Sequence, residues 1–127
     1  MTFETNQFGQ KGEVAAVDFL VKQYGYKILE KNFRNQFGEI DIIAQDKETI
    51  CFIEVKSRQS LSYGSGLEAI SSQKKKQLTR VALSYLNLNH KDDIYARFDI
   101  VSIQIDSDHQ IRFEIIKNAF ELVLDQW

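Results

Sequence analysis

The sequence predicts an α/β chain: a central mixed β-sheet flanked by helices, in the order helix, three strands, helix, two strands. Three observations carry this. Two apolar runs, Gly38–Ala44 and Thr49–Lys56, flank a Gln45–Glu48 segment of turn composition, the pattern of a hairpin. The stretch Leu78, Val81, Ala82, Tyr85 and Leu86 steps i, i+3, i+4, i+7, i+8, an amphipathic helix. That helix lies between two groups of strands, and a strand–helix–strand crossover makes at least part of a sheet parallel.

The elements follow in order. Residues from about Phe8 to Tyr24 read as a helix, with Val14, Val17, Leu20, Val21 and Tyr24 as its apolar positions, Asn6 as a candidate N-cap and Gly25 as its stop. Tyr26–Arg34 supplies a first strand around Ile28 and Leu29, and the hairpin follows. Ser57–Gly66, rich in serine and glycine, reads as a loop. The second helical region spans about Leu67–Leu88, its first residues forming a separate turn before Ser71 or Ser72 caps the main helix. Asn87–Asp93 reads as a polar loop, Ala96–Ile105 as a strand and Asp106–Asp108 as a turn. Gln110–Ile116 is a partner strand, and Asn118–Leu124 is a candidate short C-terminal helix.

With 127 residues and 43% hydrophobic content, the chain suits one domain over 1–127 with an ordinary core. No apolar run approaches the ~20 residues that cross a bilayer, and Met1-Thr2-Phe3-Glu4 does not open a signal peptide. Cys51 is the single cysteine, so no internal disulfide is expected. In its β-like run it reads as a small core residue rather than a nucleophile. A cytoplasmic protein with no membrane partner is the expectation.

Chemistry concentrates in the hairpin. Side chains two apart on a strand share a face, so Glu39 and Asp41 point one way, with Ile40 and Ile42 opposite. Glu54 and Lys56 share a face, with Ile53 and Val55 opposite. Pairing the strands sets Asp41, Glu54 and Lys56 side by side. Two carboxylates offer hard oxygen ligands to Mg²⁺ (or Mn²⁺), and an ammonium beside them can hold a phosphate or help deprotonate a water. The bland counterpart is an exposed cross-strand ion pair, worth under ~1 kcal/mol. Glu13, four residues before Val17 and seven before Leu20, borders the buried side of the first helix. A carboxylate there serves either a metal or the helix dipole.

Charge is unevenly spread. Net charge is −2, yet Lys56, Arg58, Lys74, Lys75, Lys76 and Arg80 face only Glu68 between residues 55 and 80. A basic block beside a carboxylate cluster suits a polyanionic substrate, and equally a solvated helix face. Lys74, Lys75 and Lys76 crowd a helix's first turn, against its dipole, which favours the anion reading.

Glu13, Gly38-Glu39-Ile40-Asp41, Phe52-Ile53-Glu54-Val55-Lys56-Ser57-Arg58, Glu68-Ala69-Ile70 with Lys74, and Arg97-Phe98-Asp99 together resemble the YraN-like family. By resemblance that family belongs to the restriction-endonuclease-like nucleases with an Asp…(Asp/Glu)-x-Lys core. The resemblance spans about residues 8–120, nothing departs from the core motif, and the arrangement is also similar to archaeal Holliday-junction resolvases. It implies a restriction-endonuclease-like core and a metal-dependent nuclease acting on DNA, including branched DNA, or on RNA. It further implies Asp41 and Glu54 as metal ligands, Glu13 as an outer ligand through water, Lys56 positioning or activating the attacking water, and Lys74 on a phosphate. Arg97 and Asp99 match a family motif and suggest an ion pair near the sheet. The expected partner is nucleic acid, DNA ahead of RNA, held by Lys74, Lys75, Lys76, Arg58 and Arg80, with a homodimer as an open assembly state. The rival reading is a non-catalytic nucleic-acid-binding module that keeps the fold.

Overall fold

A computed structural model describes residues 2–59, 70–89, 94–105, 108 and 110–121. Seven elements follow the expected order: α1 (Thr2–Tyr24), β1 (Lys27–Asn35), β2 (Gly38–Asp46), β3 (Thr49–Gln59), α2 (Ser72–Leu88), β4 (Tyr95–Ile105) and β5 (Ile111–Phe120). The strands form one sheet in the order β1-β2-β3-β4-β5. It is mixed because β3 and β4, joined across α2, run parallel, while the other neighbours are antiparallel.

The sheet carries a helix on each face. On one side Ile40, Ile43, Ile50, Phe52 and Phe98 pack against Leu78, Val81, Ala82, Tyr85 and Leu86 of α2. On the other, Ile42, Ala44, Cys51, Ile53, Val101 and Ile103 pack against Ala16 and Leu20 of α1. The central strand β3 is thus apolar on both faces from Ile50 to Ile53, as a strand covered on both sides must be. Cys51 is wholly buried, and burial pushes its thiol up to about 12, so it is a core residue.

Several boundaries differ from the sequence reading. α1 already runs from Thr2, so Asn6 lies inside it and is not its N-cap. No proline interrupts Thr2–Gln10, and an interior Gly9 costs only about 1 kcal/mol. The buried face of α1 is made by Gly12, Ala16 and Leu20, with Val17 and Phe19 beside them, whereas Val14 is 68% exposed and Val21 and Tyr24 are also exposed. Small residues face the sheet because the helix lies close to it. A Cβ at Gly12 would collide with the Ser57 hydroxyl on β3. Ser57, Arg58 and Gln59, expected in a loop, continue β3 because β4 pairs with them in register as far as Ile105. The remainder of the expected loop, and residues 67–69 of the expected early helical turn, lie outside the described residues.

Ser71 caps α2, its Oγ accepting the Lys74 N–H at 3.1 Å, and Asn87 and Leu88 belong to the helix rather than to a loop. The expected C-terminal helix is corrected over Asn118–Phe120, which are the end of β5. Phe120 pairs with Phe98 and stacks on its ring at 4.5 Å, so burial overrides local helical preference. Residues 122–127 lie outside the described residues. No helix among the described residues is long and apolar enough to cross a membrane.

Candidate active site at the Asp41–Glu54 carboxylate pair

The site forms where β2 parts from β3. The two strands pair from Asp46↔Thr49 to Ile42↔Ile53 and no further, while β2 stays paired with β1 down to Gly38. Along this stretch β2 rotates. Ile40 enters the α2-side core and Ile42 the α1-side core, so they do not share a face as a regular strand would require. Asp41 sits at the rotation, and its Oδ2 accepts the Val55 N–H at 2.8 Å, satisfying a β3 amide beyond the end of the β2–β3 ladder. Across β1, Asn32 adopts a left-handed φ of 54° opposite this irregularity.

That arrangement presses Asp41 against Glu54. The two carboxyl groups lie close enough for each to act on the ionisation of the other. Glu54's side chain is only 14% exposed. Burial, reinforced by the Asp41 charge, pushes it up to about 7 from an ordinary 4.5, with Lys74 and Lys56 opposing. Burial also raises Asp41, against the stabilising Val55 N–H. Lys74 reaches over from α2, its Nζ 3.6 Å from Glu54 Oε2. Lys56 follows Glu54 on β3, near enough for its charge to act on Glu54.

Glu13 approaches from the α1 side. Burial raises its pKa, and the charges of Asp41 and Glu39 add to that. With its amide turned to donate, Asn32 reaches Glu13 Oε1 at 3.0 Å and Glu39 Oε2 at 3.3 Å. Arg34 holds the same Glu39 oxygen at 3.3 Å. Asp41 thus acts on the ionisation of both Glu13 and Glu54.

Among the described residues, no three His, Cys, Asp or Glu side chains close into a metal cage. The donors present nevertheless fit Mg²⁺ or Mn²⁺. Mg²⁺ binds through one or two carboxylates and keeps several waters and substrate oxygens. Two half-buried carboxylates whose charges disfavour each other also gain from a cation beside them.

The basic residues divide. Lys74 and Lys76 line a hollow beside the β1–β2 turn together with Arg80, whose guanidinium lies 5.9 Å from the Phe37 ring centroid. Lys75 points elsewhere, 5.7 Å from the Phe120 ring centroid. Arg58 lies on β3 opposite Gln104, and its side chain is outside the described residues.

Arg97 and Asp99 are not part of the carboxylate site. Arg97 donates to Asp99 at 2.9 and 3.1 Å, to Asp46 at 2.9 Å and to the Tyr26 hydroxyl at 2.7 Å. Asp99 also accepts the Asn118 N–H at 2.9 Å, where the β4–β5 register shifts and Asn118 turns to φ 55°. The pair locks α1's exit, the β2 end and the β5 bulge together. Sequence reasoning missed Asn32, Phe37, Gln36 and Gln77. Only the position of Phe37 just before Gly38-Glu39-Ile40-Asp41 hinted at its place.

The fold and site thus define an α/β protein whose mixed sheet presents a half-buried acidic pair beside a basic helix. A profile of the uncharacterised protein family UPF0102 matches residues 12–103, and the chain belongs to that family, the YraN family of the resemblance. UPF0102 proteins of Trichlorobacter lovleyi and Geobacter metallireducens are 43% and 45% identical over 115 and 122 residues, covering 90% and 96% of this chain and 90% and 98% of theirs. A solved structure of Pyrococcus furiosus SfsA in complex with Ca²⁺ is similar at a TM-score of 0.43 and 14% identity, over 87% of this chain and 62% of that one.

Proposed function

We propose that this protein is a metal-dependent nuclease that hydrolyses phosphodiester bonds in nucleic acid. The observation that carries the reading is the half-buried Asp41–Glu54 pair with Lys74 beside it. An acid pair held against its own repulsion, and partly offset by lysines, serves binding of a polyanion poorly unless a cation joins it. Asp41 and Glu54 are the residues that would hold Mg²⁺ or Mn²⁺, with Glu13 behind a water. Such an ion, when bound, lowers the pKa of a coordinated water and offsets phosphate charge.

The chain's own groups do the rest. Lys56 places its ammonium at the phosphate, where negative charge builds as a water oxygen adds to phosphorus and the ester P–O bond breaks. Lys74, which pairs with Glu54 at 3.6 Å, would turn to a phosphate oxygen if Glu54 held a cation. Val55's N–H holds Asp41 in one orientation. Asn32 fixes Glu13.

The test is a cleavage panel of linear, nicked, flapped and four-way DNA plus structured RNA, with Mg²⁺, Mn²⁺ or EDTA, for wild type and Asp41→Asn. Cleavage that needs the ion and Asp41 is expected. Tight binding without cleavage of any substrate would make the chain a binding module instead.

A further inference from the structure

Two adjoining hollows run along the outer face of α2. The first, about 590 Å³, lies beside the β1–β2 turn and is lined by Gln36, Phe37, Lys74, Lys76, Gln77 and Arg80 among others. The second, about 470 Å³, shares Phe37 and Arg80 and continues to Leu83, Ser84 and Asn87. Neither has an acidic lining residue among the described residues. In the first, Phe37 is the sole apolar one among them. α2 itself carries Lys74, Lys75, Lys76 and Arg80 and no acid, in a chain of net charge −2. One end of the groove reaches the candidate site directly, because Lys74 both lines it and pairs with Glu54 at 3.6 Å. From Ser71 to Asn87 the groove follows about 24 Å of helix, at ~1.5 Å per residue.

We propose that this groove receives a single-stranded segment of the nucleic acid, leading away from Asp41 and Glu54, with one unpaired base stacked on Phe37 beside Arg80. This rests on the nucleic-acid part of the function proposed above and not on cleavage. An unpaired base exposes a π-face that an aromatic ring and a guanidinium plane both accept, whatever the base. A duplex buries those faces and offers its backbone. Lys74 and Lys76 meet the phosphates of the strand, and the Gln36 and Gln77 amides meet base edges. Groove-bound protein helices depend on rows of apolar anchors, which the first hollow lacks. The substrate class is therefore a forked, flapped or gapped nucleic acid rather than a continuous duplex.

The test measures binding in Ca²⁺, by anisotropy, of a forked DNA, a single-stranded oligonucleotide and a continuous duplex of equal length. A second fork carries 2-aminopurine in its arm. The wild type binds the fork and the single strand about tenfold or more tighter than the duplex, and quenches the 2-aminopurine on stacking. Phe37→Leu keeps an apolar side chain against the core and removes the ring. With its fold checked by thermal melting, it binds the fork about tenfold more weakly, leaves duplex binding unchanged and loses the quench. Phe37→Trp restores all three. The quench in the wild type stands even if a variant fails to fold. Equal affinity for fork and duplex with no quench overturns the proposal while leaving the nuclease reading intact. Phe37-dependent fork binding without cleavage of any substrate supports it and removes the nuclease reading. No binding of any nucleic acid overturns both.

Discussion

Raising the pH should weaken the metal-free fold, and Glu54 is the reason. Its carboxyl titrates near 7 when folded and near 4.5 when unfolded, because burial and Asp41 disfavour its charge. A group whose folded pKa is raised contributes stability that is fully present below its unfolded value and is lost as pH climbs through the folded one. The window is therefore pH 4.5 to above 7. The difference of about 2.5 units, at ~1.4 kcal/mol each, amounts to roughly 3–4 kcal/mol, shared with the coupled Asp41. Glu54→Gln keeps the shape and removes the charge. Urea unfolding at steps from pH 4 to 8.5 in EDTA should show wild type and Glu54→Gln nearly equal at pH 4. The variant should become more stable by up to about 3–4 kcal/mol at pH 8.5. A difference that is constant across the range, or that favours the wild type at high pH, would refute the burial argument.

Other perturbations have equally definite outcomes. Calorimetric titration of Mn²⁺ should show one site in the wild type that Asp41→Ala and Glu54→Ala each abolish while remaining folded. Asp99→Ala leaves the Asn118 N–H without its acceptor at a wholly buried position and leaves Arg97 with Asp46 and the Tyr26 hydroxyl as its partners. It should cost about 1–3 kcal/mol in chemical denaturation, with no change in metal affinity. Gly38→Ala places a Cβ at φ 147° and 2.9 Å from the Gln77 amide. It should cost about 1–3 kcal/mol in thermal melting, mostly as backbone strain. Lys74→Gln with Lys76→Gln should reduce the salt dependence of nucleic-acid affinity by about two phosphate charges. Lys75→Gln, over Phe120, should leave it unaltered.

Much of the fold was legible because periodicity reports burial. The α2 stripe from Leu78 to Leu86 is buried as its spacing predicts, and the strands of the hairpin pair through the register their apolar residues allow. The α1 stripe misled because the helix packs close to the sheet. Gly12 and Ala16 face inward there, and small residues carry little hydrophobic signal. The C-terminal segment misled because Asn118–Phe120 join β5 through a bulge held by Asp99, 19 residues away in sequence. The period-two rule brought Asp41, Glu54 and Lys56 together correctly in outline, yet it placed Ile40 and Ile42 on one face. The rotation of β2 at Asp41 breaks that rule, and the same rotation brings the carboxyl groups together. Asn32's role was hidden because it depends on Glu13 and Glu39 from two other elements.

Lys56 separates an enzyme from a binding module most directly. The measurement is single-turnover cleavage in Mg²⁺ set against affinity in Ca²⁺, for the wild type and Lys56→Met, which keeps much of the stem and removes the charge. Under the proposed function Lys56 is one of several cations at the phosphates, so affinity should fall only modestly. Cleavage should fall by about 10²-fold or more, the scale of a positioned group acting in the chemical step. Equal losses in both, or a wild type that binds and never cleaves, would contradict the nuclease account.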